Sequence, residues 1–362
     1  MINQANPDQA VLPVASLVLV SYNNFSDLQR CLPSLYRDKP VGLQVILVDN
    51  GSEVATERQG ISALESLYPG LQVKRCDENL GFAGGCNLGA GLAEAPILVF
   101  LNPDTQVDPH WLDALISPLR DDPRIGLTTA RILLMREPQR INAAGNEIHV
   151  SGLTLCRGAN QNDPALNLPS TVNAVSGAAF AIRRELFELL GGFDADFFMY
   201  MEDTDLSWRA RLAGYTCRYV PQAVVYHDYE LRFRPGKTFY QERNRYQTLL
   251  KNLHWASLLA LTPSLTLAEL VTWGYVLFRQ PKQWRDKLRA YAWIVQHWRE
   301  VMIKRSQVQR LRQSRDREIL RQHTYRLEYE QADASTLASL AHWIFDPLFF
   351  LFHQLALLVI HW

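Results

Sequence analysis

Four short apolar segments near the N-terminus constrain the fold most strongly, because each is followed directly by polar residues. They are SLVLVSYN (16–23), LQVILVDNGS (43–52), LQVKRCDEN (71–79) and PILVFLNPDT (96–105). Segments with helical spacing of apolar residues separate them. Near-continuous apolar strands that alternate with helices predict a parallel sheet covered on both faces. Ligands bind such sheets beyond the carboxyl ends of the strands, which is where these polar residues fall.

The chain changes character twice beyond this region. After residue 106 the alternation weakens, although WLDALISPL still has helical spacing and YTCRYVPQAVVYH has strand character. From about residue 238 the chain is helical almost throughout. We therefore predict an α/β domain over residues 1–254, with a doubly wound, mostly parallel sheet, followed by a helical region over 255–362. A hydrophobic content of 48% suits a globular protein with a large core.

The segment DENLGFAGGCNLGAG (77–91) is rich in glycine and leads into a helix. One interpretation is a loop whose backbone approaches a nucleotide or phosphate closely. The other is a tight connection with small-residue packing of the helix. The spacing is neither that of a P-loop nor that of a dinucleotide-binding motif directly after a strand, so it does not indicate ATP hydrolysis or NAD binding.

Polar residues at the strand ends are candidates for ligand contacts. Asp49 follows a buried strand and could bind a ribose or base, or form a turn with the Asn-Gly pair after it. Asn102 and Asp104 follow another strand and could hold Mg²⁺ or Mn²⁺, or cap the next helix. His227 ends the segment VVYH and could be a ligand or a structural histidine.

The segment MYMEDTDLSWRARLAGY (199–215) crowds three carboxylates into four positions. Helical spacing of apolar residues predicts a helix that begins near Asp203 and stops at Gly214, with Asp205 and Arg209 as an i,i+4 pair. The helix cap and the pair of Asp205 with Arg209 account for only two of the three carboxylates. A carboxylate beside an aromatic run is therefore left for another purpose.

Seven stretches, taken in order, resemble the family-two inverting glycosyltransferases with the GT-A fold. They are Asp49, NLGFAGGCNLG, LNPDT, SGAAFAIRRE, GGFDADFFMYMEDTDLSWRARLAGY, VVYH and FYQERNRYQTLLKN. The resemblance spans roughly residues 14–254 and is closest to the rhamnosyltransferase-like branch that builds bacterial surface polysaccharides. It implies transfer of a sugar from a nucleoside-diphosphate donor to a hydroxyl of a glycan or lipid-linked acceptor.

The resemblance also implies roles for particular residues. Asp203 would be the catalytic base, with Glu202 beside it, because inversion needs a group that takes the acceptor proton. Asp104 would hold Mg²⁺ or Mn²⁺ with His227, since Asn102 replaces the first acid of the usual Asp-x-Asp motif. The implied donor-binding residues are Ser21, Tyr22, Asn23, Asp49, Asn79, Gly81, Phe82, Gly85, Asn102, Asp104, Arg243 and Arg245. The two arginines, with Lys237 of the RFRPGKTF loop, would close over the diphosphate; an exposed charged helix face is the alternative.

The C-terminal region suggests an anionic surface as partner. Residues 279–326 contain fourteen Lys or Arg against four acids, whereas the whole chain is neutral. Apolar segments at 255–278 and 348–360 flank this stretch, and the second is shorter than the ~20 residues that a span needs. We predict helices lying on the inner face of the cell membrane, with no nucleic acid as partner. A span at 255–278 and ordinary helix packing are the alternatives.

The N-terminus MINQANPDQAVLPVA lacks the basic region and long apolar core of a signal peptide, and five scattered cysteines predict no disulfide framework or zinc site. A cytoplasmic location is therefore expected. Two competing functions remain open. A sugar nucleotidyltransferase should place its glycine-rich loop after the first strand, where SLVLVSYNNFSD has none. A non-catalytic scaffold on a decayed transferase fold should have lost Asp104 and the Glu202-Asp203 pair.

Overall fold

A computed structural model describes residues 13–229, 236–327 and 336–362 of the chain. The first residues of the predicted leaderless N-terminus, and residues 232–235 of the RFRPGKTF loop, lie outside these ranges. The strands are β1 (Ala15–Ser21), β2 (Leu43–Asp49), β3 (Leu71–Arg75), β4 (Ile97–Leu101), β5 (Thr105–Val107), β6 (Ile125–Leu134), β7 (Glu137–Ala143), β8 (Asn146–Ile148), β9 (Thr154–Cys156), β10 (Ser170–Val172), β11 (Ala179–Arg183) and β12 (Thr216–His227).

The helices divide between the two parts of the chain. In the first part they are α1 (Phe25–Arg37), α2 (Ala55–Leu67), α3 (Gly81–Gly91), α4 (Trp111–Asp121), α5 (Arg184–Leu189), α6 (Glu202–Leu212) and α7 (Lys237–Asn252). In the second part they are α8 (Trp255–Ala260), α9 (Thr262–Arg279), α10 (Trp284–Gln296), α11 (Trp298–Leu311), α12 (Asp316–Leu320) and α13 (Thr336–Val359).

A central sheet runs through the described part of the first region, in the order β10-β12-β6-β11-β4-β1-β2-β3. Strands β4, β1, β2 and β3 are parallel, as the four apolar segments predict. The other half is mixed, because β11 runs antiparallel to both β4 and β6. This reversal places the start of β11 at the edge where β4 ends.

Side chains from both faces of the sheet are buried, which explains the near-continuous apolar strands. Alternate residues of β1 belong to different clusters: Leu17 and Leu19 pack with α1, α2 and α4, whereas Val18 and Val20 pack with α3, α5 and α6. The predicted covering of both faces is confirmed. None of the five cysteines, all of which lie in the described residues, forms a disulfide bond.

The predicted domain boundary at residue 254 is not a break in packing. A third apolar cluster joins Trp208 and Leu212 of α6 to Leu320 of α12 and Ala356 of α13. In the described residues the helical region therefore shares a core with the sheet region, and α7 contacts both α10 and α11.

The apolar segment 255–278 forms two helices, α8 and α9, that meet at Leu261. Ser264, Leu267, Ala268 and Val276 of α9 are buried against the rest of the protein. By length and composition, one stretch of the described helices, His342–Val359, could cross a membrane.

Candidate active site

The predicted nucleotide side lies at the carboxyl ends of β1 and β2. Asp49 is buried at the end of β2, where its Oδ1 accepts the backbone N–H of Ser52 at 3.2 Å. Asn23 exchanges hydrogen bonds with this turn: its N–H donates to Ser52 Oγ at 3.1 Å, and its Oδ1 accepts the N–H of Glu53 at 3.0 Å. The two strand ends are thus tied together.

Asn50 organises the glycine-rich segment. Its Nδ2 donates to Asn79 Oδ1 at 3.1 Å and to the carbonyl of Gly81 at 3.0 Å, while its Oδ1 accepts the N–H of Leu80 at 3.1 Å. The residue that the sequence marked only as a turn former therefore fixes the start of α3 against β2.

The glycines of this segment have different reasons for being small. Gly81 has φ +71°, and a Cβ there would lie 2.4 Å from the carbonyl oxygen of Phe198. A Cβ on Gly85 would lie 2.6 Å from Val20 on β1, so helix packing explains Gly85 without a ligand. Phe82 packs toward Phe193, with ring centroids 6.3 Å apart.

The two predicted metal ligands meet in the structure. His227 Nε2 lies 3.2 Å from Asp104 Oδ1, and the Asp104 carboxylate is partly exposed. The other ring nitrogen, Nδ1, lies 2.9 Å from Asn142 Oδ1. With Nδ1–H donating to Asn142, the Nε2 lone pair points toward the Asp104 side, which is the arrangement found at metal-binding histidines.

The spacing of these two atoms fits one divalent ion. Adjacent ligands of an octahedral ion at about 2.1 Å are separated by about 3.0 Å, close to the observed distance. Asn102 Oδ1 is buried and has no hydrogen-bond partner among the described residues, so it is available to a ligand. The described residues contain no group of three or more His, Cys, Asp or Glu side chains arranged to hold a metal ion. An ion here would therefore take its remaining ligands from the donor and from water.

Asp203 lies in the first turn of α6, beside the start of β11. Its Oδ2 accepts the N–H of Gly177 at 2.7 Å and the side-chain amide of Asn146 at 3.2 Å, and its Oδ1 accepts the N–H of Thr204 at 2.7 Å. Because β11 reverses direction, Gly177 is at the same sheet edge as Asn102, whose N–H bonds the carbonyl of Ala178 at 2.9 Å. The reversal brings the base candidate to the edge that carries Asp104.

The surroundings of Glu202 and Asp203 act differently on the pKa values of the two carboxyl groups. Burial raises the pKa of Glu202 to about 8, and the neighbouring charge of Asp203 adds to the effect. Glu202 Oε2 is buried without a hydrogen-bond partner in the described ranges. Burial also raises the pKa of Asp203, but the N–H groups of Gly177 and Thr204 oppose that shift. Burial therefore favours the protonated form of Glu202, whereas the hydrogen bonds to Asp203 favour its charged form.

Asp205, the third carboxylate, is structural. It is fully buried and pairs with Arg209 at 2.8 Å and with Lys251 of α7 at 3.1 Å. The predicted i,i+4 pair is confirmed, and α6 begins at Glu202, one residue before the expected start. Arg209 also donates to the carbonyls of Leu190 at 2.7 Å and Gly192 at 3.0 Å.

Arg243 and Arg245 are not available to a diphosphate, which corrects the prediction from sequence. Arg245 is fully buried and pairs with Glu242 at 2.7 Å and with Glu269 of α9. Arg243 is buried and donates to main-chain carbonyls, including that of Phe197 at 2.8 Å. Both cations are neutralised or saturated within the protein, so neither can reach a leaving group without breaking buried contacts.

The sequence interpretation gave no role to the side chains of Asn142, Asn146 and Asn244 or to the backbone N–H of Gly177, which the structure places around the site. Asn142 and Asn146 flank a glycine turn in INAAGN, and Gly177 falls within SGAAFAIRRE. Clusters of Asn and Gly between strands were the available signal. Three of the predicted donor residues lie beside the end of β1 or at the start of the glycine-rich segment: Ser21, Tyr22 and Asn79.

Solved structures with a similar fold define the class of protein. GalNAc-T7, solved with UDP, GalNAc and Mn²⁺, gives a TM-score of 0.57 at 22% identity over 67% of this chain and 48% of that one. The mannosyltransferase PcManGT from Pyrobaculum calidifontis, solved with GDP-Man and Mn²⁺, gives 0.50 at 17% identity over 99% and 90% of the two chains. The fold is that of the GT-A glycosyltransferases, as the resemblance implied.

Sequence relatives identify the family. Residues 16–191 match the model of Glycosyl transferase family 2. The N-acetylglucosaminyl-diphospho-decaprenol L-rhamnosyltransferase of Mycobacterium tuberculosis (strain ATCC 25618 / H37Rv) is 31% identical over 245 residues, 60% of this chain and 76% of the relative. The pre-mycofactocin glycosyltransferase of the same strain is 31% identical over 228 residues, 62% of this chain and 45% of that relative's length. The chain belongs to glycosyl transferase family 2.

Proposed function

We propose that the protein transfers a sugar, with inversion, from a nucleoside-diphosphate donor to a hydroxyl of a glycan or lipid-linked acceptor. The observation that carries this proposal is the hydrogen-bonded carboxylate of Asp203 at the sheet edge that also holds Asp104 and His227. The relative named for rhamnosyl transfer to a decaprenol-linked sugar supports rhamnose as the transferred sugar and a lipid-linked acceptor.

Asp203 is the base in this proposal, because the N–H groups of Gly177 and Thr204 favour its charged form. Its carboxylate would take the proton of the acceptor hydroxyl while that oxygen attacks the anomeric carbon and the diphosphate leaves from the opposite face. The N–H groups of Gly177 and Thr204 fix the orientation of the carboxylate. The raised pKa of Asp203 makes it a stronger base than an ordinary exposed aspartate.

Asp104 and His227 would hold Mg²⁺ or Mn²⁺, with Asn142 fixing the tautomer of the histidine. The ion would neutralise negative charge on the diphosphate. Asp49 and the turn held by Asn50 would contact the nucleoside. Because the two arginines of α7 are buried, charge neutralisation at the leaving group falls mainly to this ion.

The catalytic proposal is tested with Asp203→Asn. We expect turnover to fall about 10²-fold or more while the dissociation constant of the donor, measured by titration calorimetry, stays within about threefold. Glu202→Gln should lose much less, since Gln matches the neutral form of Glu202 in shape. Normal turnover in Asp203→Asn, or a larger loss in Glu202→Gln, would refute Asp203 as the base.

We further propose that the protein binds the inner face of an anionic membrane through its C-terminal helices. Helix α13 is apolar on two faces. Phe349, Ala356 and Ile360 on and just beyond it are buried against the protein. Its other face exposes Trp343, Ile344, Leu348, Leu351, Leu355, Leu358 and Val359. Because the inner face already packs on the core, this helix is placed to lie on a bilayer and not across it.

Basic residues accompany exposed apolar residues on the neighbouring helices. Trp284, Leu288 and Trp298 are exposed on α10 and α11. The cations that are also exposed on these two helices are Arg285, Arg289, Arg299 and Arg310. Part of the basic stretch is used internally, since Lys287 is buried between Glu242 and Glu269. The remaining cations complement anionic headgroups, each contributing about 1 kcal/mol near the surface.

Vesicle flotation tests the membrane proposal on the full chain. Leu270→Glu with Leu358→Glu should weaken binding to anionic vesicles tenfold or more. The matched control is Leu67→Glu with Leu168→Glu, because these four leucines are 66–67% exposed. Release by high salt is expected for surface binding, whereas retention after alkaline carbonate would indicate a span. Equal flotation of the two double variants would refute the assigned surface.

A further inference from the structure

The chain just before Asp203 adopts a conformation that side chains rarely tolerate. Within Asp196–Met201, here called the support segment, Phe198, Tyr200 and Met201 have φ of +61°, +68° and +67°. A residue with a side chain is strained in this conformation and keeps it only where its surroundings enforce it. The last of them directly precedes Glu202, the first residue of α6. These dihedral angles therefore set the direction in which α6, and with it Asp203, enters the site.

One side chain holds most of this segment. Asn244 of α7 is fully buried, and its Nδ2 points at three carbonyl oxygens of the support segment: Phe197 at 3.0 Å, Met199 at 2.9 Å and Tyr200 at 2.7 Å. A left-handed backbone cannot continue a helix or a sheet ladder, so its carbonyls need partners from elsewhere. Asn244 supplies them.

Arg243 reinforces the same segment from the neighbouring position. Its guanidinium donates to the carbonyls of Asp196 and Phe197, and its Nε donates to Asn244 Oδ1 at 2.9 Å. The guanidinium also lies 4.8 Å from the ring centroid of Trp293 on α10. Buried Arg243 thus orients the amide of Asn244 and ties the segment to a C-terminal helix.

A second C-terminal helix contacts the acidic start of this region. Lys304 of α11 pairs with both Asp194 and Asp196, and Lys251 of α7 pairs with Asp194 at 2.6 Å. These pairs lower the pKa of Asp194, although its burial alone would raise it. The support segment is therefore braced by α7, α10 and α11 together.

The donor side touches the support segment as well. The N–H of Ala83, in the first turn of α3, donates to the carbonyl of Phe198 at 3.2 Å. Gly81 leaves room for that carbonyl. The support segment thus lies between the glycine-rich start of α3 and the carboxylate of Asp203. A shift of this segment would therefore change the distance between the donor and the base.

We propose that Asn244 is a positioning residue for catalysis, which holds Asp203 in its reactive place through the support segment, with Lys304 of α11 as a second brace. This inference rests on the proposed role of Asp203 as the base. It gives the C-terminal helices a part in the reaction that is separate from membrane binding.

Asn244→Leu tests the proposal, because it keeps the side-chain size and removes the amide donor that faces the three carbonyls. We expect kcat to fall tenfold to a hundredfold, while the dissociation constant of the nucleoside diphosphate changes less than threefold, since a misplacement of about 1 Å can cost about 10²-fold in rate. The matched control is Thr248→Val on the same helix, because Thr248 is also fully buried and its hydroxyl has no partner in the described residues. Thr248→Val should leave kcat within twofold.

Lys304→Met is the second variant, and it decides the matter if Asn244→Leu does not fold. Lys304 is partly exposed, and Asp194 keeps Lys251 as a partner when Lys304 is changed. We expect a threefold to tenfold lower kcat with unchanged donor affinity and an unchanged circular dichroism spectrum. Full activity of folded Asn244→Leu, or of Lys304→Met where the first variant is unfolded, would overturn the proposal.

Asp203→Asn, measured in the same assay, distinguishes the proposed role of Asp203 as base from the proposed positioning role of Asn244. If Asp203→Asn is inactive and Asn244→Leu behaves like Thr248→Val, the base assignment stands and the positioning role fails. If Asp203→Asn is fully active, the proposed function of Asp203 fails and the positioning role fails with it. Loss of donor affinity in Asn244→Leu as large as its loss of kcat would also count against positioning, since it would show general damage to the site.

Discussion

His323 provides a test of how the C-terminal region is held on the protein. It is buried, and its ring lies 4.7 Å from that of Trp208 in an edge-on arrangement. Neither ring nitrogen has a hydrogen-bond partner among the described residues. Burial lowers the pKa of His323 well below its usual value, and the charge of Arg211 acts in the same direction. The folded protein therefore keeps this imidazole neutral.

The sign of the pH effect follows from that state. An unfolded histidine takes up a proton below a pH of about 6.5, whereas folded His323 does not, so acid favours the unfolded chain. Between pH 7.5 and pH 5.5 this difference amounts to about 1.3 kcal/mol of lost stability. His149, with its pKa lowered by burial to about 3, and His353, also lowered, face the same region and act in the same direction.

Other titrating groups also change the free energy of unfolding with pH, so the pH dependence of the wild-type protein alone does not isolate the contribution of His323. Glu202, whose pKa burial raises to about 8, is protonated in the folded state and gains stability as the pH falls over this interval. We therefore compare variants, so that this contribution cancels. His323→Phe keeps an aromatic ring against Trp208 and removes the titration.

Urea unfolding at pH 7.5 and pH 5.5 gives the measurement. The wild-type protein should lose about 1.3 kcal/mol more than His323→Phe between the two pH values. Exposed His361 supplies the control, since His361→Phe should show the wild-type difference. If His323→Phe and wild type lose the same stability, folded His323 binds a proton in this range and the described environment is wrong.

Three further predictions concern the site. Asp104→Ala should weaken Mn²⁺-dependent donor binding far more than Asn102→Ala does, because a carboxylate is the stronger ligand; equal calorimetric values would contradict this. Asn142→Leu should lower Mn²⁺ affinity about 10- to 100-fold by freeing the ring of His227, which a titration at fixed donor can follow. Gly81→Ala should lower the melting temperature and the donor affinity together, since its φ of +71° and the nearby carbonyl leave no room for Cβ; a wild-type melting curve would refute that reasoning.

Much of the fold could be predicted because local pattern determined it. The four apolar segments became parallel strands with polar ends, and the pair of Asp205 with Arg209 follows from helical spacing alone. Their positions near strand ends place Asp104 and His227 at one edge, and the pairing of β5 with β12, which sets Thr105 opposite His227, brings them into contact. Such features depend on residues close in sequence, or on the rule that binding residues of α/β sheets lie beyond the carboxyl ends of the strands.

The errors arose where charge was assigned without knowledge of tertiary partners. Arg243 and Arg245 have the composition of a phosphate-binding segment, yet their partners are Glu269 on α9 and carbonyls near Phe197. Only Glu242, three residues before Arg245, gave a local hint of internal pairing. The apolar segment 255–278 divides into two helices where Pro263 stands in the first turn of α9, whereas the buried residues of α9 depend on packing with the rest of the protein.

The antiparallel entry of β11 has a consequence for how this protein can vary. Ala178 is bonded to Asn102 across one sheet spacing, although 75 intervening residues separate them in the chain. The separation between the carboxylate of Asp203 and the strand end that carries Asp104 is thus fixed by a hydrogen-bond ladder, and the length of the connection has no part in it. Insertions in the surface loops of this connection, outside β6 and the turn that carries Asn142 and Asn146, could reshape the surface beside the site while leaving Asp203 and Asp104 in place.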